Sequence, residues 1–327
     1  MFNAFFAQKK WAGWAWGMGT LLILGLYVQV ELMVMFNEWY GQFYTLMQHA
    51  ADHEIGEYWQ NLLFFAKITI PYIAVATLAN LLGRFYAFKW REAITFAYLE
   101  KWRTVTEDIE GSSQRMQEDI YRFAKIIESL GLQIVRAIMT LLAFIPILWG
   151  LSSHVQLPFL SDIQGSLVWV ALAVSLGGLL ISWLVGIKLP GLEYNNQKVE
   201  AAFRKELVYA EDDKENYASL ATILELFTGL KKNYFRLFLH YGYFDIWAAS
   251  FEQIMLIVPF IIMGPSIMSG LATFGMAVQV SNSFGHVQEA FSIFISNWTT
   301  ITELRSVHKR LREFETNIGY REEKCHV

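Results

Sequence analysis

The chain has 327 residues, of which 54% are hydrophobic, 16% aromatic and only 17% charged, with a mean hydropathy of +0.31. Soluble domains carry roughly 25% charged residues. The apolar surplus therefore excludes an ordinary water-soluble enzyme, a disordered chain and a small disulfide-stapled domain. The net charge of −4 hides a strong segregation along the chain, and the single cysteine, Cys325, cannot close an internal disulfide.

A helix needs about 20 mostly apolar residues to cross a hydrocarbon core roughly 30 Å thick. Six segments meet that requirement, at about 11–36, 61–86, 132–151, 166–189, 236–268 and 272–304. Polar residues interrupt the last two. The first is too long for the apolar region of a signal peptide, and no small-residue cleavage pattern follows it, so it is expected to stay as an anchor. Of the 26 basic residues, 24 lie before the first segment, in the connections after the second and fourth with the segment ends that flank them, or after the sixth. The three alternate connections, 38–60, 152–165 and 269–271, hold none. The positive-inside rule then predicts six spans with both termini in the cytoplasm.

Two basic residues fall within spans. Arg136 lies near the cytoplasmic end of the third, where its side chain can snorkel. Lys67 lies near the outer end of the second, at a depth similar to Glu31 in the first. A structural Glu31–Lys67 ion pair is the expectation, because sequential antiparallel helices are usually neighbours.

The segment 87–131 is long and charged. Met116, Ile120, Phe123, Ala124 and Ile127 recur at helical spacing, opposite the i,i+4 pairs Arg115–Asp119 and Glu118–Arg122. The second span should therefore run on below the membrane, turn near Gly111-Ser112-Ser113 and return. The segment 190–235 should form a second hairpin, turning near Glu211-Asp212-Asp213-Lys214. The fold class is thus all-α and polytopic, with six membrane helices and two long cytoplasmic helical hairpins in a single transporter domain.

No phosphate-cradling G-x-x-x-x-G-K-[ST] loop occurs. His49 and His53 stand beside Asp52 and Glu54, but a third ligand and a framework are wanting, so a solvated acidic loop is preferred to a metal site. No nucleophile motif is visible. Enzyme activity, cofactors, metal and nucleic-acid partners are not expected, which leaves transport. The sixth segment carries a polar stripe of Gln279, Asn282, His286, Glu289, Ser292, Ser296, Thr299 and Glu303 at steps of three or four. The fifth carries Tyr241, Asp245 and Glu252. The neutral members could simply bond neighbouring helices. The carboxylates point instead to a watery, acidic path suited to a proton-driven carrier of cationic or polar solutes.

Five stretches carry a family resemblance: IEGSSQRMQEDIYRFA from Ile109, AIMTLLAFIPILWGLSSHV from Ala137, GIKLPGLEYNNQKVEAAFRKELVYAEDD from Gly186, KKNYFRLFLHYGYF from Lys231, and NWTTITELRSVHKRLREF from Asn297. In these, over nearly its whole length, the chain resembles the SbmA/BacA family of bacterial inner-membrane peptide transporters. The resemblance implies a homodimer whose membrane domain is like that of ATP-binding-cassette exporters but lacks their ATPase domains. It implies uptake of antimicrobial peptides and related compounds, driven by the proton gradient. It also implies a set of proton-carrying acids, matched here by Glu110, Glu118, Asp119, Glu193, Glu200, Glu206 and Glu303. Glu193 and Glu200 share a helix face and Glu206 does not. An ordinary solvated charged face is the alternative. Nearness to span ends favours function at Glu193, Glu200 and Glu303. Family members usually carry one more membrane helix before the segment that starts near Trp11, and the outer half of the fifth span matches poorly. Two rival readings remain: a membrane subunit served by a separate ATPase chain, which the QRMQEDIYRF stretch also suits, and a membrane scaffold, which has no use for intramembrane carboxylates.

Overall fold

The computed structural model describes residues 1–106, 109, 111–155 and 163–320, with backbone alone for Phe294 and Ile295. Among these residues there is no strand. Ten α-helices follow in order: α1 (Phe2–Phe6), α2 (Lys9–Gln48), α3 (Ile55–Trp102), α4 (Ser112–Gln114), α5 (Ile120–Leu151), α6 (Ser166–Gly186), α7 (Leu189–Asp212), α8 (Leu220–Met268), α9 (Phe274–Ser296) and α10 (Trp298–Asn317). A π-helical turn, Arg115–Asp119, joins α4 to α5. Five rods are long and apolar enough to cross a membrane: α2, α3, α4 through α5, α6 through α7, and α8. The most apolar stretch of α3 is only 11% buried. Outward-facing apolar side chains on this scale would be untenable in water, and they identify a polytopic membrane protein. Pro71, Pro146, Pro259 and Pro265 sit inside these helices, a position that membrane helices tolerate.

The chain divides into two compact units, Met1–Leu172 with Pro259–Val327, and Ala173–Val258. In the first, the closely packed core gathers around the C-terminal end of α3, the start of α5 and α10, and takes in Trp11, Ala15, Leu22 and Tyr86 from the first two predicted spans. Trp90, Ile94, Tyr98, Ile120, Phe123 and Leu311 are buried there. Trp90 stacks on Phe5 with ring centres 5.5 Å apart and meets Phe6, Tyr86 and Phe123 edge-on. This distribution follows from solvent. Apolar burial drives packing where helices stand in water, and within lipid it supplies little. Gly111, at φ +74°, supplies the left-handed residue from which α4 starts.

Along the membrane stretch, close approach and polar contacts hold α2 to α9. A Cβ on Gly275 would collide with the Gly41 carbonyl oxygen and the Thr45 hydroxyl. Thr45 and Thr273 share a hydrogen bond of 3.0 Å, and Asn37 donates to Ser283 at 3.0 Å. Small residues thus let the two backbones touch. The predicted sixth span is not one uninterrupted helix. It breaks at Asn297, whose amide donates to the Ile293 carbonyl and to Gln133, each at 3.0 Å. The polar stripe is divided accordingly: Gln279, Asn282, His286, Glu289, Ser292 and Ser296 lie on α9, and Thr299 and Glu303 lie on α10.

The second unit is a helical hairpin. The Trp247 indole donates to Ser182 at 2.8 Å, Phe251 covers Gly178, and Phe203 meets Phe227, so α6 and then α7 run antiparallel to α8. Pro190 in the first turn of α7 marks where α6 ends and α7 begins. Beyond Asp212 the tip is closed by side chains. Asp213 accepts from the Asn216 amide at 2.7 Å, and Glu206 accepts from the Ala218 N–H at 3.0 Å. Ser219 then accepts from the Thr222 N–H at 3.2 Å, capping α8.

Candidate functional site

The acidic residues singled out from the sequence fall into separate groups. In the first unit, Arg122 is the meeting point. Its guanidinium donates to Glu118 at 2.6 Å and to Glu303, on α10, at 2.7 Å. One cation thus gathers two of the predicted acids, one of them 181 residues away from it in the chain. The hydrogen bonds from Arg122 and Gln114 hold the Glu118 carboxyl below its ordinary range.

Asp119 sits one residue along and is almost fully buried. Arg115 reaches it at 2.8 Å and Arg310 grips both of its oxygens, at 2.6 and 2.9 Å. Burial pushes its carboxyl up, but the bonds from Arg310 and Arg115 outweigh burial and hold it below the usual range. Both i,i+4 pairs read from the sequence form, and each is extended across space by α10. The π-helical turn that carries these residues is a geometry found frequently at functional positions. Glu110 lies outside the described residues.

In the second unit Glu200 accepts the Tyr234 hydroxyl at 2.9 Å. Glu193 and Asp245 both act electrostatically on Tyr241. Glu206 caps the hairpin tip, a structural task, and Glu252 is exposed on α8. Along α9, His286 packs on Phe144 with ring centres 4.4 Å apart, while Glu289 is exposed 4.0 Å away. Gln279 and Asn282 are half-buried beside the α2 crossing, and Ser296 is exposed.

The expected Glu31–Lys67 ion pair is absent among the described residues. Both side chains are exposed, and Glu31 accepts a hydrogen bond from Tyr27, one turn earlier on its own helix. Helix register explains the miss. Gly25 sits against Ala79 and Trp39 against Phe65, so facing residues have numbers that total about 104. Glu31 and Lys67 total 98, an offset of about six residues or roughly 9 Å of helix rise.

Two features had escaped sequence reasoning. Glu128, half-buried on α5, lies against the bare backbone of Gly83 with Arg84 acting on it. Arg136 donates to Gln29 at 2.6 Å and lines a cavity of about 200 Å³ between α2, α3 and α5. Gly83 next to a lone acid on the neighbouring helix was the available signal, but only register could have joined them. Among the described residues no group of three or more His, Cys, Asp or Glu is placed to hold a metal ion.

These features define an all-helical polytopic membrane protein with charge networks gathered at helix ends. The chain belongs to the SbmA/BacA-like family, whose profile matches residues 8–319. It is 25% identical to the inner membrane ABC transporter ATP-binding protein YddA of Escherichia coli (strain K12), over 90% of this chain and 55% of that protein. It is 24% identical to an uncharacterized ABC transporter ATP-binding protein of Synechocystis, over 95% of this chain and 47% of that one. It is also similar to the chloroplastic ABC transporter D family member 2 of Arabidopsis thaliana, at 25% identity over 70% of this chain and 33% of the relative. The chain spans about half the length of the first two of these relatives, and a third of the last.

Proposed function

We propose that the protein is a carrier that takes up peptides, antimicrobial peptides among them, across the bacterial inner membrane at the expense of the proton gradient. It works as a homodimer with both termini in the cytoplasm, and α9 with the start of α10 makes a sixth crossing. The observation that carries this reading is the pairing of predicted acids with groups that can answer a change in their charge: Glu118 and Glu303 on Arg122, and Glu200 on Tyr234. A carboxylate that takes a proton loses its Coulombic hold on a cation such as Arg122, which links protonation to helix movement.

The second reading is a membrane subunit served by an ATPase. It is favoured by the names of the relatives, which are ATP-binding and about twice as long. Purified protein in proteoliposomes, with an acidic outer buffer and no nucleotide, separates the two. Uptake of a fluorescent peptide that is abolished by a protonophore supports the proton-driven carrier. Uptake that ignores the gradient and needs ATP with a second chain replaces it, and no flux of any peptide favours a scaffold.

A further inference from the structure

The cavity between α2, α3 and α5 combines an apolar wall with a cation that lacks a counter-charge. Leu22, Leu26, Ala79 and Leu132 make the wall, with Asn80, Ser129 and Gln133 also in the lining. At the other end is the Arg136 guanidinium, which has five N–H donors. Its hydrogen bond to Gln29 is the only one it makes among the described residues, and no carboxylate there lies within ion-pair distance of it. Gln29 is 1% exposed, and its Nε2 has no partner. Gln29 is not itself part of the cavity lining, so the cationic guanidinium is the group that faces the cavity with donors left over. A cation placed among membrane helices ordinarily has a counter-charge. Glu128 is the acidic group on the same cavity, but it sits eight residues earlier on α5, about 12 Å of helix rise away, and is drawn to Gly83 and Arg84.

We propose that this cavity binds a carboxylate carried on a small apolar body. The carboxylate accepts from Arg136, and the body lies against Leu22, Leu26, Ala79 and Leu132. A planar monoanion suits the fork of a single guanidinium. A dianion would leave excess negative charge beside Glu128. About 200 Å³ accommodates a short alkyl chain or one apolar amino-acid residue, since a 150 Å³ apolar cavity already takes benzene. The same chemistry is offered by a free monocarboxylic acid and by the C-terminal residue of a peptide. The site is distinct from the paired acids described above and does not depend on how transport is driven.

The test is calorimetric titration of the full-length protein in nanodiscs with hexanoate, with N-acetyl-alanyl-leucine and with the C-terminal amide of that dipeptide. Saturable binding of either acid, at least tenfold tighter than the amide, is expected. Preference for hexanoate identifies a free acid as the source, and preference for the dipeptide acid identifies a peptide terminus. Arg136→Gln should weaken binding at least tenfold, while Arg136→Lys retains part of it. Ala79→Leu, which fills the cavity and leaves the guanidinium in place, should abolish binding, and it serves should Arg136→Gln fail to fold. Equal binding of acid and amide, no saturable binding of either acid, or affinity unchanged in both Arg136→Gln and Ala79→Leu overturns the proposal.

Discussion

Asp119 shows how much one residue can tie together. Its carboxylate bonds Arg115 in its own turn and both arms of Arg310 on α10, with little solvent access. Removing one partner from a buried charge cluster typically costs about 3–5 kcal/mol, because the remaining charges are stranded. Asp119→Ala should therefore lower the thermal unfolding midpoint far more than Glu313→Ala, a change at an exposed helical pair of the kind worth well under about 1 kcal/mol. Equal shifts in a detergent-solubilised melt would refute the structural role. The direction of the Asp119 shift also sets a pH window. A carboxyl held below its unfolded value adds stability that is complete above that value, about 3.9, and is lost as pH falls through the lowered one. The clasp should thus hold from neutrality to about pH 4, and a spin-label distance across Ser113 and Arg312 should stay constant from pH 7 to 5. A transition centred near pH 6 would show that some other group governs it. Glu31 and Lys67 teach the converse. Their matching depths suggested a pair, but a register offset of about six residues keeps them apart. The effects of Glu31→Ala and Lys67→Ala on stability should therefore add within about 0.5 kcal/mol.

At the scale of elements, the α2–α9 crossing depends on the absence of side chains at Gly41 and Gly275. Gly275→Ala must push the helices apart or bend one, an overpacking cost of about 1–3 kcal/mol. Gly285→Ala, ten residues along the same helix with open space around it, should be neutral or slightly stabilising. Comparable melting shifts for the two variants would mean that the crossing is not the constraint. What could be read from the sequence at this scale was whatever a local signal encodes. The apolar runs announced long helices, Gly111 announced the start of α4, and the acidic run at Glu211-Asp212-Asp213-Lys214 announced the end of α7. The interruption at Asn297 was not legible, because it depends on an amide reaching Gln133 on another helix. The junction of Glu303 with Glu118 through Arg122 was hidden for the same reason. Each i,i+4 pair could be read from spacing, but its completion by α10 could not.

For the whole molecule the question is whether the paired acids couple protons to movement. Glutamine keeps the shape and much of the hydrogen bonding of protonated glutamic acid but cannot release a proton. In the Glu303→Gln variant Arg310 still grips both oxygens of Asp119, so α10 should remain assembled on the start of α5. In Glu200→Gln the amide oxygen can still accept from Tyr234, so the hairpin of the second unit should remain closed. Glu193→Gln changes a half-buried side chain within electrostatic range of Tyr241. All three variants should therefore fold at the level of the parent protein. If the acids carry protons, each variant should lose at least tenfold in pH-gradient-driven peptide uptake while peptide binding measured without a gradient stays within about twofold, since only the coupled step is removed. A solvated charged face predicts a different result, because exposed substitutions of this kind usually change stability by less than about 0.5 kcal/mol and would leave uptake intact. Normal gradient-driven uptake in all three would remove the proton role from these residues. A loss confined to one would assign the coupling to that acid and leave the other two as structural partners of Arg122 or the tyrosines.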